Sequence, residues 1–278
     1  MSAYDAGASA SLRYGDSILG RKFGPEVVNY FSGSPLNRVS FLRSNHTFLR
    51  SALTPAKFLL LKNLDPLVQD GEHLAFVGYE DVKSLIGDPF SVEDEKRIDA
   101  YDSRDQVPLL LLLGLDETDL DRGLTFEDGK YRGQPYFALD VTPKGGDEMR
   151  GRCEEVIARV RMGGREFKKT RIDLTLVNRD AAVLAQARSL TDWNSRNEFC
   201  AACGERTMSV QAGTKRTCPP HDKAFQKNPD DDPHERAPCV TRKGVHNIAV
   251  SFWTFFPFLF LSTHTHTHTL FGTLWDSG

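Results

Sequence analysis

Apolar positions along the chain fall into short continuous runs and one long periodic one. Phe58 to Lys62 (FLLLK) is a compact run of the kind that forms a buried strand, and Leu74 to Tyr79 (LAFVGY) predicts another. Val107 to Leu115 (VPLLLLLGL) is the most apolar stretch of this half and predicts a central strand, with Gly114 and Asp116 marking its end. It is far too short to span a membrane. Pro135 to Val141 (PYFALDV) alternates as a strand does. Tyr30 to Leu42 mixes aromatic and aliphatic residues around a Gly-Ser-Pro turn and predicts a short lead into the first domain. Helical spacing appears twice. Glu154 to Val160 (EEVIARV) predicts a short helix ended by Met162-Gly163-Gly164. From Asp180 to Arg196, Val183, Leu184, Ala187, Leu190 and Trp193 recur at helical intervals behind Asp180 as candidate N-cap. That stripe reads as core packing, with Trp193 as an anchor for whatever follows.

Polar stretches separate these elements. Residues 1–26 are small, polar and aperiodic, and read as a loose arm. The acidic segment DETDLDRGLTFEDGK reads as a solvated turn whose carboxylates are dispersed, so no metal is assigned to it.

Composition narrows the class. The chain has 278 residues, 40% hydrophobic and 26% charged, with a mean hydropathy of -0.40; these values belong to globular proteins. A formal net charge of -3 gives no general electrostatic case for nucleic acid or an anionic membrane. The N-terminus has no apolar segment of signal-peptide length, and Asp5 argues against a transit peptide. The expected location is intracellular and cytoplasmic, where thiols stay reduced.

Thiol chemistry is concentrated in one place. Four of the five cysteines lie between Asn197 and Cys239. Cys200 and Cys203 form a Cys-x2-Cys pair followed by Gly204, the arrangement of a zinc knuckle. Thr207 to Lys215 predicts strand, turn and strand, with Ala212-Gly213-Thr214 as the turn, and Cys218 follows it. The fourth ligand is Cys239, reached across PPHDKAFQKNPDDDPHERAP, or its rival His221, which makes a Cys-x2-His pair with Cys218. The expected metal set is therefore Cys200, Cys203, Cys218 and Cys239 around structural Zn2+, with His221 as the alternative to Cys239.

The runs LAQARSLTDWNSRNEFCAACG, AGTKRTC and PCVTRKGVHN together resemble the NADH pyrophosphatase branch of the Nudix hydrolases in its fungal form. Upstream, NYFSGSPLNRVSFLR, FLLLKNLDPL and QPYFALDVTP are similar to the N-terminal domain of that family, so the resemblance covers Val27 to Ile248. It implies an α+β fold: a degenerate Nudix-like domain, with a mixed sheet and helices, that packs and dimerises rather than catalyses, followed by a zinc ribbon. It also implies an NAD(H)-type dinucleotide as substrate, a homodimer, and catalytic Mg2+ or Mn2+ held by Nudix carboxylates. The divisions expected are 1–26 arm, 27–179 N-terminal domain, 180–196 connecting helix, 197–248 zinc ribbon and 249–278 aberrant tail.

The catalytic signature itself, G-x5-E-x7-R-E-U-x-E-E-x-G-U, places glutamates on one helical face to hold cations against a diphosphate. It does not occur in these 278 residues. Arg165-Glu166 is followed by Phe167, Lys168, Lys169 and Thr170, and Glu154-Glu155 lacks the preceding Arg-Glu. No catalytic residue is assigned, and the chain is expected to be truncated after the ribbon and inactive alone. After Ile248 the sequence turns to AVSFWTFFPFLFLSTHTHTHTLFGTLWDSG, which matches nothing in the family. A Thr-His repeat is what the dinucleotide CA encodes, the Phe/Leu/Pro/Ser run is what a pyrimidine tract encodes, and Val250-Ser251 can be encoded by a splice-donor sequence. The tail accordingly reads as translated intron, non-native or disordered, rather than as a membrane anchor or a His-rich metal site. It also lacks the C-terminal tripeptide ending in Leu that makes relatives peroxisomal. A competing class is a zinc-ribbon module that binds protein or nucleic acid. Lys215, Arg216, Arg242 and Lys243 favour it; Asp230-Asp231-Asp232 and the lack of interleaved aromatics oppose nucleic acid. A third possibility is a fragment that dimerises with a full-length copy and modulates it.

Overall fold

The run FLLLK owes its unbroken apolar character to burial on both faces. In the computed structural model, which describes residues 29–105, 107–169 and 175–225 with Lys22, Cys239 and the backbone of His246–Asn247, it forms β2 (Lys57–Lys62) in the middle of a mixed sheet. The other strands of that sheet are β1 (Leu36–Asn37), β3 (Asp65–Val68), β4 (Phe76–Val77), β5 (Leu110–Asp116), β6 (Leu124–Phe126), β7 (Tyr131–Asp140) and β8 (Glu166–Phe167). Their order is β1-β5-β7-β2-β3-β8, with β4 also paired to β2 and β6 to β7. β2 and β7 run parallel, and β5 lies antiparallel to β7.

The pleat sorts side chains into two cores. Phe58 and Leu60 of β2, with Phe137 and Leu139 of β7, face α1 (His46–Leu53), α2 (Tyr79–Ile86) and α4 (Asp147–Met162). Leu59, Leu61, Tyr136 and Ala138 face α5 (Asn178–Arg196). A short helix, α3 (Asp94–Asp99), carries no buried residue. Each fully buried leucine contributes about 2 kcal/mol, so a one-residue slip of β2 exchanges the two faces and is strongly disfavoured. The α+β expectation is met: one mixed sheet has helices on both faces.

Several elements differ from their sequence patterns. Gly114 does not end the central strand. It sits at a bulge between Leu112 and Gly114, beyond which β5 continues to Asp116. The bulge lets Leu112 and Leu115 share one core while Leu111 and Leu113 share the other. At φ +155°, a Cβ there would meet the Asn37 carbonyl oxygen at 2.3 Å, so close passage of β1 requires glycine. LAFVGY yields only the two residues of β4, because Tyr79 already begins α2 behind Gly78, whose N–H is accepted by Asp81 at 3.0 Å. The helix expected over 154–160 is the second half of α4. Its polar first turns hid it, and its core contacts are Cys153, Val156, Ile157 and Val160. It stops at Gly163 as read.

Asp180 does not cap α5. The helix starts at Asn178, and the Asp180 carboxylate instead accepts the Leu74 N–H at 2.8 Å. The acidic stretch read as a solvated turn contains β6. It also opens on Asp116, which is buried and ion-paired to Arg179. Apart from Lys22, the whole 1–26 arm lies outside the described residues, as does the 249–278 tail.

Candidate metal centre

The ribbon begins where α5 ends. After Arg196 the backbone folds back on itself: the Cys200 N–H donates to the Glu205 carbonyl and the Gly204 N–H to the Cys200 carbonyl, both at 2.8 Å. This turn aims the Cys200 and Cys203 sulfurs the same way. The hairpin follows as β9 (Met208–Val210) and β10 (Lys215–Thr217), with β11 (His246–Asn247) completing a three-stranded antiparallel sheet. Cys218 stands at the exit of β10.

All four predicted sulfurs converge. Cys200 Sγ lies 3.6 Å from Cys239 Sγ, and Cys203 Sγ lies 3.5 Å from Cys218 Sγ. The four lie within 4.8 Å of one another. A tetrahedral zinc with Zn–S bonds of about 2.3 Å sets its sulfurs roughly 3.8 Å apart, so the cluster fits that ion. The separations exclude disulfides, whose sulfurs bond at about 2 Å, and all five cysteines are free thiols. Burial pushes the Cys218 thiol up to about 12, with Cys203 next to it adding to the effect. Burial likewise raises Cys203. Four thiolates therefore cannot share this site without a cation to compensate them, and a divalent ion supplies that compensation. Among the described residues this is the sole convergent group of His, Cys, Asp or Glu ligand atoms. It includes Cys239 and not His221, whose Nδ1 is buried without a hydrogen-bond partner.

The module is fastened to the domain by contacts that no local pattern announced. The hairpin turn has Gln211, Ala212 and Gly213 all at positive φ, and its tip lies against β5. There the Leu112 N–H donates to the Ala212 carbonyl at 3.1 Å. Asn194 of α5 donates to the Gly213 carbonyl at 2.8 Å, and Asp94 of α3 accepts the Gln211 N–H at 2.8 Å. Downstream, the fully buried Asp222 accepts the Ser103 N–H at 2.9 Å. Asp94 and Asp222 sit in the charged stretches SVEDEKRID and HDK, whose local pattern carries no sign of these contacts. Trp193 packs against the α5 side of the sheet, as its helical position predicts.

Of the basic cluster read as a nucleic-acid contact, Arg216 turns inward. It is 8% exposed and donates to Thr207 Oγ1 at 2.7 Å, the Thr207 carbonyl at 2.9 Å and Asn194 Oδ1 at 3.2 Å. Arg242 and Lys243 fall outside the described residues. Neither candidate acidic pair forms a cation site. Glu154 and Glu155 are exposed on α4, and Glu166 lies in β8, paired to Lys168 at 3.0 Å. Between domain and module runs a cleft of about 800 Å³.

A degenerate Nudix-like sheet joined to a four-cysteine ribbon defines the class, and sequence comparison places the chain within it. Residues 55–193 match the family described as NADH pyrophosphatase-like rudimentary NUDIX domain, and the chain belongs to that family. It is 30% identical over 227 residues to a protein of Schizosaccharomyces pombe named NAD-capped RNA hydrolase, covering 78% of this chain and 54% of that one. The human NAD-capped RNA hydrolase NUDT12 is 27% identical over 244 residues, covering 80% and 43%. Saccharomyces cerevisiae NAD-capped RNA hydrolase NPY1 is 27% identical over 205 residues, covering 69% and 50%. The chain spans about half the length of the curated relatives it matches.

Proposed function

We propose that these 278 residues form the non-catalytic half of a Nudix-family hydrolase that cleaves the diphosphate bond of an NAD-type dinucleotide, free or at the end of an RNA. The observation that carries this reading is the conjunction of the family match with the sulfur cluster and the missing carboxylate helix. Three relatives whose names specify NAD-capped RNA align with 69% to 80% of the chain. Those names also temper the argument from net charge against nucleic acid, since an RNA end can be held by a local surface.

Zn2+ held by Cys200, Cys203, Cys218 and Cys239 would cross-link the ribbon and leave no open position for a metal-bound water. Its contribution is structural. Cleavage needs carboxylates that position Mg2+ or Mn2+ against the diphosphate, and these must come from outside residues 1–278. The homodimer implied by the family resemblance belongs to the same proposal, and sizing with light scattering measures it.

The test is incubation of the purified chain with NADH and with NAD-capped RNA in Mg2+ and in Mn2+, with mononucleotide release followed by chromatography. No turnover is expected. Robust release that depends on the divalent ion and scales with protein would overturn the assignment of a non-catalytic half.

A further inference from the structure

The cleft between domain and module has a charge unlike that of the rest of the molecule. Its walls carry Lys83, Arg97, Lys144 and Arg152 from the domain and Arg206 and Arg216 from the ribbon, against the carboxylates Asp105, Asp140 and Glu198. The whole chain is formally -3, so positive charge is gathered here against the overall balance. Arg97 is held by Asp94 at 3.0 Å, but the partners of four other cations are weak ones. Lys144 meets Asp140 at 3.5 Å and Arg206 meets Glu198 at 3.3 Å, with both cationic side chains more than half exposed. Lys83 and Arg152 meet acidic residues one turn away on their own helices, Glu80 and Glu148. Such pairs exchange readily for a phosphate that contacts several cations at once.

Two guanidinium groups set the depth of the cleft. Arg216 is nine-tenths buried, and its bonds to Thr207 and Asn194 all go to neutral oxygens. Among the described residues no carboxylate is hydrogen-bonded to it; Glu198 acts on it through space only. Arg152 keeps a buried Nε with no hydrogen-bond partner. Tyr101 and Met208 add apolar surface beside these cations. On the ribbon side Arg206 lies over the exposed Phe199 ring at 4.9 Å, and Tyr101 is the domain's aromatic across the cleft. Cations stand on both walls of this cleft of about 800 Å³, and a tyrosine ring beside them offers a stacking face to an unpaired base that a base inside a duplex cannot use.

We infer that this cleft binds single-stranded RNA, holding the phosphates of the strand between Lys144 and Arg152 on the domain side and Arg206 on the ribbon side. The inference deepens the proposed function and rests on it for the choice of RNA, because it gives the body of a capped RNA its own seat on the non-catalytic half.

The experiment is a fluorescence anisotropy titration of a labelled, uncapped ten-nucleotide RNA with the full zinc-loaded chain, at several salt concentrations. Binding is expected to weaken as salt rises. Lys144→Gln with Arg152→Gln should weaken it at least tenfold at low salt and lower the slope of log K against log salt by about 1.4, roughly 0.7 for each phosphate no longer neutralised. Arg122→Gln with Lys130→Gln removes the same charge at exposed positions outside the cleft and should change little. A duplex of the same sequence should bind several-fold more weakly. Lys144→Gln alone, at a 61% exposed side chain, guards against misfolding and should lower the slope by about half as much. No binding at low salt, equal loss from the distant pair, or equal affinity for duplex each overturns the inference. Because the probe carries no cap and no cleavage is read, failure here leaves the hydrolase reading to its own assay.

Discussion

Single atoms decide more of this structure than residue type suggests. Gly213 is the sharpest case: a Cβ would sit 2.1 Å from Leu111 Cδ2 and 2.8 Å from the Leu110 carbonyl, at φ +81°. Gly213→Ala is therefore expected to cost roughly 1–3 kcal/mol for strained backbone and a similar amount for overpacking. Urea unfolding measures it, and an unchanged midpoint would mean that the ribbon tip does not seat on β5. Asp116 offers a pH test. Its burial raises the carboxyl, but hydrogen bonds from the Thr118 N–H at 3.1 Å and Oγ1 at 2.7 Å, with the Arg179 ion pair, more than offset this and hold it below the usual range. With the folded value below an unfolded one of about 3.9, its contribution is full above that pH and fades as pH falls through the folded value. Asp116→Asn should thus be less stable than the parent at pH 7, with a smaller loss of urea midpoint on going to pH 3. An identical acid dependence in both proteins would remove Asp116 from the account. The four cysteines were legible because thiol spacing is itself the signal of a metal site. The inward turn of Arg216 was not, because a basic residue on a predicted strand gives no sign of which face it occupies.

At the level of elements, patterning worked where one environment spans the whole segment. β2 and β7 lie in the sheet interior, and α5 presents one long stripe to it, so their apolar positions declared them. Patterning failed at α4, whose first two turns are charged and whose burial starts only at Cys153. It failed again at β4 and α2, where strand gives way to helix within three residues. The seam between ribbon and domain also belongs to this scale. β5 donates its Leu112 N–H to the ribbon turn, while its other unpaired carbonyls are satisfied by Arg43 on Leu112 and Leu113 and by Gln186 on Leu113. A sheet edge completed by the ribbon would couple metal binding there to the stability of the domain. Chelation is expected to lower hydrogen-exchange protection at Leu112 along with the ribbon amides, while β2 amides stay protected. Unaltered protection at Leu112 would uncouple the two.

For the molecule as a whole, zinc content tests the ligand set. One Zn2+ per chain is expected by elemental analysis, falling to none in Cys218→Ser and remaining at one in His221→Ala. Cys239→Ser should lose it as well; loss of zinc from His221→Ala with retention in Cys239→Ser would reverse the choice between Cys239 and His221. Removal of structural zinc should also cost several kcal/mol, since ribbons of this size have too small a core to fold without a cross-link. The sequence alone determined what local chemistry can encode: the buried strands, the periodic helix, the thiols spaced for one cation, and the lack of a carboxylate helix in these 278 residues. Only the tertiary structure decided which residues meet across long separations, because those contacts depend on where β5 bulges and how the ribbon tip reaches it. Asp94 beneath the hairpin turn, Asp222 against the loop before β5, and cations facing one another across the cleft all arise from that docking, which no neighbour in the sequence specifies.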